Sequence, residues 1–189
     1  EKLAGKWIFS PLGMDRTFFN PDSIYLESIA PTEYDSVYRK FLVHGVVHDE
    51  NAYLLGGIAP HAGLFSTAED IGKYAQLNLN NGTWLGKRYF PKWIIKYFTR
   101  RQNIPPGSDR ALGWDTPSIT GKSSAGDYFS TSSYGHLGFT GTSLWIDPEE
   151  KVIITLLTNR VHPTRNKKGI YGIRREFHNK VMQSILKSK

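Results

Sequence analysis

A histidine among glycines, followed by an apolar segment, is the part of this sequence whose residue types could do chemistry. Residues 134–150 read YGHLGFTGTSLWIDPEE and place His136 between Gly135 and Gly138. A histidine can hydrogen-bond, carry charge or transfer a proton near neutral pH. Glycine weakens a strand unless the backbone passes close to another group. The segment therefore predicts either one wall of a binding site or a bulged strand with a structural histidine.

A nucleophile to accompany this histidine is hard to find in the chain. The absence of cysteine excludes disulfides, thiolate zinc sites and a cysteine nucleophile. The only Ser-x-x-Lys sequence runs from Ser184 to Lys187, after the histidine segment and close to a basic C-terminal end. No Tyr-x-Asn and no Gly-x-Ser-x-Gly sequence occurs. We interpret Ser184 as a chance match, because an exposed basic tail does not desolvate a nucleophile.

A catalytic metal site is an alternative from another class. The chain has nitrogen and oxygen donors of the types that bind catalytic zinc, namely His44, His48, Asp49, His61 and His136. No pair has the His-x-x-x-His spacing of a helical site, and His48 with Asp49 falls in a predicted loop. Side-chain-to-backbone hydrogen bonds would account for that pair equally simply. We therefore rank the metal interpretation lower and expect no cofactor.

Composition and charge are those of one globular domain. The 189 residues are 39% apolar and 22% charged, and the net charge is +7. Apolar runs such as 152–157 are too short to cross a bilayer, so no transmembrane segment is predicted. Seven Lys and Arg residues between Lys167 and Lys189 oppose one acid, Glu176. They could attract an anionic partner. We favour a solvated helix face and predict no nucleic acid, because no nucleic-acid motif accompanies them.

Hydrophobic spacing predicts helices before strands and one more helix at the end. Residues 4–9 resemble the last turns of a helix that Pro11 and Gly13 stop. A second helix begins after Ser66 or Thr67, and a third occupies 91–98. The last helix, 170–186, is amphipathic, with its apolar side chains at spacings of three and four: Ile170, Ile173, Phe177, Val181 and Ile185.

Three segments between the helices are β-like: 111–115, 135–146 and 152–159. The last two are joined by Asp147-Pro148-Glu149-Glu150-Lys151, which predicts an antiparallel hairpin with a short loop. This order predicts an α/β (α+β) fold in which helices flank an antiparallel β-sheet.

Several segments resemble the serine β-lactamase and penicillin-binding-protein superfamily, in the branch that holds class C β-lactamases, DD-peptidases and related esterases. They are IFSPLGMDRTFF, HAGLFSTAEDIGKYAQ and HLGFTGTSLWIDPEEKVIITLLTNRVHPTR, in the order in which the family has them. The resemblance extends from about Trp7 to the last helix. It implies a β-lactamase/transpeptidase-like fold and a serine hydrolase.

In that family, a strand with Lys-Thr-Gly or His-x-Gly forms one wall of the active site. The resemblance places this motif at His136, Leu137 and Gly138. It implies that a backbone N–H at Phe139 or Thr140 is half of an oxyanion hole, with the N–H of the nucleophilic serine as the other half. His136 would then supply charge or a hydrogen bond near the substrate.

The same resemblance raises a question about substrate. The middle residue of the motif is usually Thr or Ser, whose hydroxyl contacts a substrate carboxylate, and Leu137 has none. Thr140 or Thr142 could compensate, and His61 would lie near the mouth of the pocket. The implied substrate is a small molecule or a peptidoglycan-derived one, held as an ester, an amide or a β-lactam.

The family also needs a Ser-x-x-Lys and a Tyr-x-Asn motif, and both should precede the part that Trp7 resembles. We therefore predict that residues 1–189 are a single partial domain, the C-terminal portion, whose N-terminal part is absent. Its partner would be the upstream part of the same domain, and alone it would be inactive. Family resemblance implies a periplasmic or extracellular protein. The alternative is a non-catalytic domain that binds cell-wall glycopeptide or accompanies a larger enzyme such as a glycoside hydrolase.

Overall fold

The chain forms two compact units. The computed structural model describes residues 1–121 and 123–188. The first unit comprises Glu1–Tyr74 and Thr158–Lys167, and the second comprises Ala75–Leu157 and Lys168–Lys189.

The first unit opens with a continuous helical segment. It consists of α1 (Lys2–Ala4), a π-helical stretch (Gly5–Phe9) and α2 (Ser10–Leu12), and it ends at Gly13 in the left-handed conformation. The prediction that Pro11 stops this helix is wrong. Pro11 lies inside the continuous segment, just after the π-helical stretch, and the chain stays helical through Leu12. Glycine then ends the helix, because it adopts the positive φ of 65° without strain.

Short elements fill the rest of this unit. Strand β1 (Phe18–Phe19) pairs antiparallel with β2 (Leu64–Phe65). A 3₁₀ helix (Ser23–Ser28) and α3 (Glu50–Leu54) lie between them along the chain. Helix α4 (Ala68–Leu79) follows and continues into the second unit. The predicted start of this helix is confirmed, because the Thr67 hydroxyl accepts the N–H of Asp70 at 3.2 Å.

A buried ion network fixes the loops of the first unit. Arg39 pairs with Asp35 at 2.7 Å and also donates to the carbonyl oxygens of Val47 and His48. Arg165 binds the carboxylate of Glu33, and the imidazole of His48 contacts the same carboxylate at 2.9 Å. Charged groups at this depth persist only when they are paired and hydrogen-bonded. The network therefore joins residues 33–48 to residue 165.

The second unit contains the main sheet. Its first elements are a hairpin of β3 (Thr83–Trp84) and β4 (Lys87–Arg88), then α5 (Lys92–Thr99). The three antiparallel strands, in the order β5-β6-β7, are β5 (Tyr134–Leu137), β6 (Ser143–Asp147) and β7 (Val152–Leu156). Helix α6 (Ile170–Lys187) ends the unit. The predicted α+β class is confirmed, as are the helices predicted at 91–98 and 170–186.

Helices cover both faces of this sheet. Trp145 and Ile154 pack on one face against Met182 of α6. Tyr134 and Ile146 pack on the other face against Ala75 of α4. Because successive strand side chains point to opposite faces, an almost continuous apolar run is needed to fill both cores.

Two of the three predicted strands require correction. The segment predicted as one strand at 135–146 is a hairpin, because the glycine-rich residues 138–142 form a turn between β5 and β6. The segment predicted as a strand at 111–115 forms isolated bridges: Asp115 pairs with Arg110 and with Gly135. The hairpin predicted around Asp147 and Pro148 is confirmed as the connection from β6 to β7.

The buried face of α6 also differs from the predicted stripe. Its buried residues are Arg174, His178 and Met182, whereas Ile173 is 57% exposed. The buried stripe is therefore displaced by one position, and two of its three members are polar. Spacing alone did not reveal this, because an arginine and a histidine are usually assigned to the solvent side of an amphipathic helix.

Candidate active site

Strand β5 places His136 at the edge of the sheet. On one side β5 pairs with β6, with His136 opposite Leu144. On the other side Gly135 exchanges both backbone hydrogen bonds with Asp115, at 2.7 and 2.9 Å. Backbone groups alternate in direction along an antiparallel strand, so the peptide groups of Leu137 lie on the same edge as those of Gly135. The backbone groups of Leu137, in the middle of the candidate motif, therefore lie on the side of β5 that faces away from β6.

His136 is exposed and has a defined hydrogen bond. Its Nδ1 lies 3.0 Å from the carbonyl oxygen of Leu137. A carbonyl can only accept, so Nδ1 carries the hydrogen in this bond. In a neutral ring of this tautomer the lone pair is on Nε2, which can then accept a hydrogen bond.

Gly138 begins a turn that returns the chain into β6. The Gly138 N–H donates to the carbonyl oxygen of Thr142 at 2.8 Å, and the Gly141 N–H donates to Gly138 at 3.1 Å. A Cβ built on Gly138 would lie well inside 3.0 Å of the Thr142 hydroxyl oxygen. Glycine is favoured here because the Thr142 hydroxyl occupies the space that a Cβ would need. Phe139, within this turn, is 60% exposed.

The turn is bound by a buried arginine that the sequence prediction treated as part of a solvated basic tail. Arg174 of α6 is 7% exposed. Its Nη2 donates to the carbonyl oxygens of Gly138 at 2.6 Å and Thr142 at 2.7 Å, and its Nε donates to Gly141 at 3.1 Å. The sequence signal was present, since Arg174, His178 and Met182 share one helix face at spacings of four.

His178, one turn further along α6, supports the first residue of β6. Its Nδ1 lies 2.9 Å from the Ser124 carbonyl oxygen, and its Nε2 lies 3.1 Å from the Ser143 hydroxyl. Burial lowers the pKa of His178; the Ser124 hydrogen bond opposes this, and the charge of Arg174 adds to it. The neutral ring then donates from Nδ1 and accepts the Ser143 O–H at Nε2.

The other predicted residues fall in two places. Leu137, Gly138, Phe139, Thr140 and Thr142 follow His136 in the strand end and turn just described, within the second unit. His61 belongs to the first unit.

His61 is exposed, and its Nε2 lies 3.1 Å from Asp49. Asp49 caps α3 through the N–H of Ala52. This backbone hydrogen bond lowers the pKa of Asp49; burial opposes it, and His61 adds to it.

The histidines of the metal alternative have separate partners. His44 contacts the carbonyl oxygen of Ile29 at 2.7 Å, and His48 contacts Glu33 at 2.9 Å. Within residues 1–121 and 123–188, no group of three or more His, Cys, Asp or Glu side chains could hold a metal ion.

Two further features bear on the site. Ser184 of the single Ser-x-x-Lys sequence lies exposed near the end of α6.

A cavity of about 460 Å³ in the second unit lies away from the motif. It is lined by Lys96, Arg100, Arg101 and Tyr134, among others, but not by residues 136–142. The part of the chain that the structure describes has no helix both long enough and apolar enough to cross a bilayer.

Comparison with known proteins places this geometry in a family. The model of the family described as "Beta-lactamase" matches residues 1–177. A Salmonella agona protein named "Putative D-alanyl-D-alanine carboxypeptidase" is 37% identical over 186 residues, which cover 89% of this chain and 42% of that protein. The chain thus spans less than half the length of this curated relative.

Two solved structures share the fold. A β-lactamase from Mycobacterium bovis matches with a TM-score of 0.63 and 16% identity, over 97% of this chain and 56% of that one. Simvastatin synthase from Aspergillus terreus matches with a TM-score of 0.64 and 14% identity, over 97% and 50%. At such identities these two matches show the fold alone, whereas the family model covers most of the sequence. The chain belongs to the beta-lactamase family of serine hydrolases.

Proposed function

We propose that this chain supplies the oxyanion wall of a serine hydrolase that works through an acyl-enzyme. The observation that carries the proposal is the arrangement at the end of β5, where an exposed His136 is followed directly by the Gly138–Thr142 turn. The family match supports this arrangement as the third motif of the active site. The nucleophilic serine and its lysine would come from the part of the protein upstream of Trp7.

Each candidate residue has a role in this reaction. The upstream lysine takes the serine proton as the serine oxygen attacks the substrate carbonyl carbon, and the carbonyl oxygen becomes an oxyanion. The N–H of Phe139 or Thr140 donates to that oxyanion together with the serine N–H, while Gly138 keeps the turn in place. His136 offers Nε2 to the substrate or to the leaving group. The leaving group takes up that proton and departs, which gives the acyl-enzyme. Water then attacks the acyl carbon, so that the acid is released and the serine hydroxyl is restored.

We place esters and amides, including peptidoglycan-derived peptides, ahead of β-lactams as substrates. Leu137 has no hydroxyl to contact a substrate carboxylate, which argues against strong recognition of penicillins and equally of the terminal carboxylate of a D-alanine peptide. An ester or an internal amide needs no such contact. The printed name of the curated relatives, "Putative D-alanyl-D-alanine carboxypeptidase", supports a peptide of the cell wall as the source of the amide. With such a substrate, we propose a periplasmic or extracellular location. Contacts from Thr142 and His61 to the substrate stay predictions.

Labelling tests this proposal directly. The natural full-length gene product and the 189-residue chain are treated side by side with a fluorophosphonate and with a fluorescent penicillin, and adducts are read by intact mass. We expect a fluorophosphonate adduct on the full-length protein alone and weak or no penicillin adduct. An adduct on Ser184, or labelling of the isolated chain, would contradict the assignment of the nucleophile.

A second outcome separates catalysis from binding. Absence of any adduct on the full-length protein, together with binding of wall glycopeptide in a sedimentation assay, would replace the hydrolase by a non-catalytic binding domain. Strong penicillin labelling would instead show that Leu137 does not prevent recognition of a carboxylate.

A further inference from the structure

The proposed oxyanion donor belongs to a peptide unit that Arg174 binds. The carbonyl group of Gly138 and the N–H of Phe139 are the two ends of one planar peptide. In a trans peptide the N–H points opposite to the C=O. The Gly138 oxygen accepts from Arg174 Nη2 at 2.6 Å and from the Gly141 N–H at 3.1 Å. Fixing this oxygen on the Arg174 side therefore fixes the Phe139 N–H on the opposite side.

Arg174 is suited to this task by its shape and burial. One planar guanidinium reaches the carbonyl oxygens of Gly138, Gly141 and Thr142, so its fork sets their relative positions. Hydrogen bonds from a charged donor are about twice as strong as neutral ones. At 7% exposure, little water competes for them.

The turn does not need the arginine merely to close. Gly138 and Thr142 already share a backbone hydrogen bond, and Gly141 bonds back to Gly138. Helix α6 is held on the sheet by the apolar packing of Met182 with Trp145 and Ile154. The three hydrogen bonds from Arg174 therefore add orientation and polarity to a turn that its own backbone hydrogen bonds already close.

A positive donor at a carbonyl oxygen also polarises the peptide. Electron density moves towards the oxygen, and the N–H at the other end becomes a better donor. We propose that Arg174 is a positioning residue that aims and strengthens the Phe139 N–H as a donor to the oxyanion. This inference rests on the proposed function, and it selects Phe139 over Thr140 as the donor.

Kinetics of Arg174 variants in the full-length protein test the inference. Removing an oxyanion donor outright costs about 100- to 1,000-fold in kcat. Since Arg174→Met weakens the donor and leaves it in place, we expect a loss of about 10- to 100-fold in kcat with KM nearly unchanged. The kcat of Arg174→Lys should lie between those of the wild type and Arg174→Met, because an ammonium group keeps the charge but lacks the planar fork of the guanidinium. Arg175→Met is the matched control, since Arg175 binds Asp127 and not the turn.

A spectroscopic readout separates positioning from a merely structural role. The carbonyl stretch of the acyl-enzyme falls in frequency as hydrogen bonding to its oxygen strengthens. We expect it to rise in Arg174→Met and, less, in Arg174→Lys, and to stay constant in Arg175→Met. If Arg174→Met does not fold, Arg174→Lys carries the test alone. An unchanged stretch in the folded Arg174 variants, or equal kcat losses at positions 174 and 175, overturns the inference.

The same experiment distinguishes this failure from failure of the proposed function. A wild-type protein that forms no acyl-enzyme overturns both. A wild-type protein that acylates normally while the Arg174 variants match it leaves the hydrolase standing and removes Arg174 from its mechanism.

Discussion

Strand β6 has a turn at each end, and the two turns are stabilised in opposite ways. After β6, the Asp147 carboxylate accepts the N–H groups of Glu149 and Glu150, at 3.0 Å each. Before β6, the guanidinium of Arg174 binds carbonyl oxygens of the Gly138–Thr142 turn. One turn is closed by its own anion at the N–H groups. The other is held by a distant cation at the carbonyl groups.

The difference teaches which turn can serve a reaction. A carboxylate that accepts a turn's N–H groups uses the donors that an oxyanion would need. A cation at the carbonyls directs the opposite ends of those peptides away from itself. We therefore expect changes at Asp147 to affect stability and changes of the peptide groups around Gly138 to affect catalysis.

The largest stability effect is expected at Asp147. This carboxylate is fully buried and also accepts from the N–H and the hydroxyl of Ser130, at 2.8 and 2.7 Å. Asp147→Ala leaves several buried donors without an acceptor, and each costs about 1–3 kcal/mol. We expect the free energy of unfolding to fall by at least about 3 kcal/mol, measured by urea denaturation.

The matched control is Glu149→Gln in the same turn. Glu149 is exposed and accepts one hydroxyl hydrogen bond, from Ser132. Its replacement should change the free energy of unfolding by less than about 0.5 kcal/mol. Fluorophosphonate acylation by the folded fraction of full-length Asp147→Ala should stay at the wild-type rate. A specific loss of acylation there would abolish the division between the two turns.

The next effect concerns the two glycines beside His136. A Cβ on Gly135 would lie inside 3.0 Å of the Leu144 carbonyl oxygen and the Trp145 ring, which are backbone and core. Gly135→Ala should therefore cost about 3 kcal/mol in unfolding free energy. Gly138→Ala would meet only the short side chain of Thr142, and we expect about 1–2 kcal/mol.

A rescue experiment distinguishes the two glycines. Adding Thr142→Ala to Gly138→Ala removes the colliding hydroxyl and should recover most of the lost stability, by thermal denaturation. The same addition to Gly135→Ala should recover none, because its collisions are with Leu144 and Trp145. Equal recovery in both double variants would show that the assigned collisions are wrong.

The contrast also explains what the sequence could predict. The turn at Asp147 is local: an Asp-Pro pair between two apolar runs is sufficient to predict it. The turn at Gly138 is not local, since its main side-chain support, Arg174, lies 36 residues further along the chain. The glycine pattern therefore predicted a special backbone, but it did not predict that the strand stops at Leu137.

Charge was the other signal that sequence reasoning misjudged. Apolar spacing correctly predicted that α6 exists, yet its most buried side chains include an arginine and a histidine. Burial of a charged group depends on acceptors contributed by distant residues, here turn carbonyls, and no periodicity displays those acceptors. The roles assigned to His136, Phe139 and Thr140 came from family resemblance and stay predictions.

As the pH falls, the region beside the Gly138 turn should lose stability at a higher pH than the Asp147 turn does. Burial lowers the pKa of His178 below its unfolded-state pKa of about 6.5. The folded state therefore binds a proton at this ring less readily than the unfolded state does. Stability from the neutral ring is complete above that value and is lost as pH falls through the folded pKa. The slope cannot exceed about 1.4 kcal/mol per pH unit for one proton.

Asp147 titrates in a lower window. Burial alone would raise the pKa of Asp147, but hydrogen bonds from the N–H groups of Ser130 and Glu150 and from the Ser130 hydroxyl outweigh burial and lower it. Its stabilising effect is therefore present above the unfolded value of about 3.9 and is lost below it.

Urea denaturation between pH 7 and 5 tests the effect of His178. The free energy of unfolding should fall over this range in the wild-type protein but not in His178→Gln. A slope that persists in this variant would assign the effect to another histidine.

The smallest effect is expected at the exposed side of α6. Arg175 binds Asp127 through one Nη2 at 2.6 and 2.7 Å, and both side chains are about a third or more exposed. Water and salt screen such a pair, so Arg175→Met should lower the free energy of unfolding by less than about 1 kcal/mol. That cost should shrink further as salt is raised to about 1 M, where the Debye length is only about 3 Å. Arg174, its neighbour in sequence, is itself buried where it donates to the turn carbonyls, so its variant should show little salt dependence. If salt altered the two arginine variants alike, Arg174 would not act in a water-excluded setting, and the contrast between the two turns would lose its electrostatic basis.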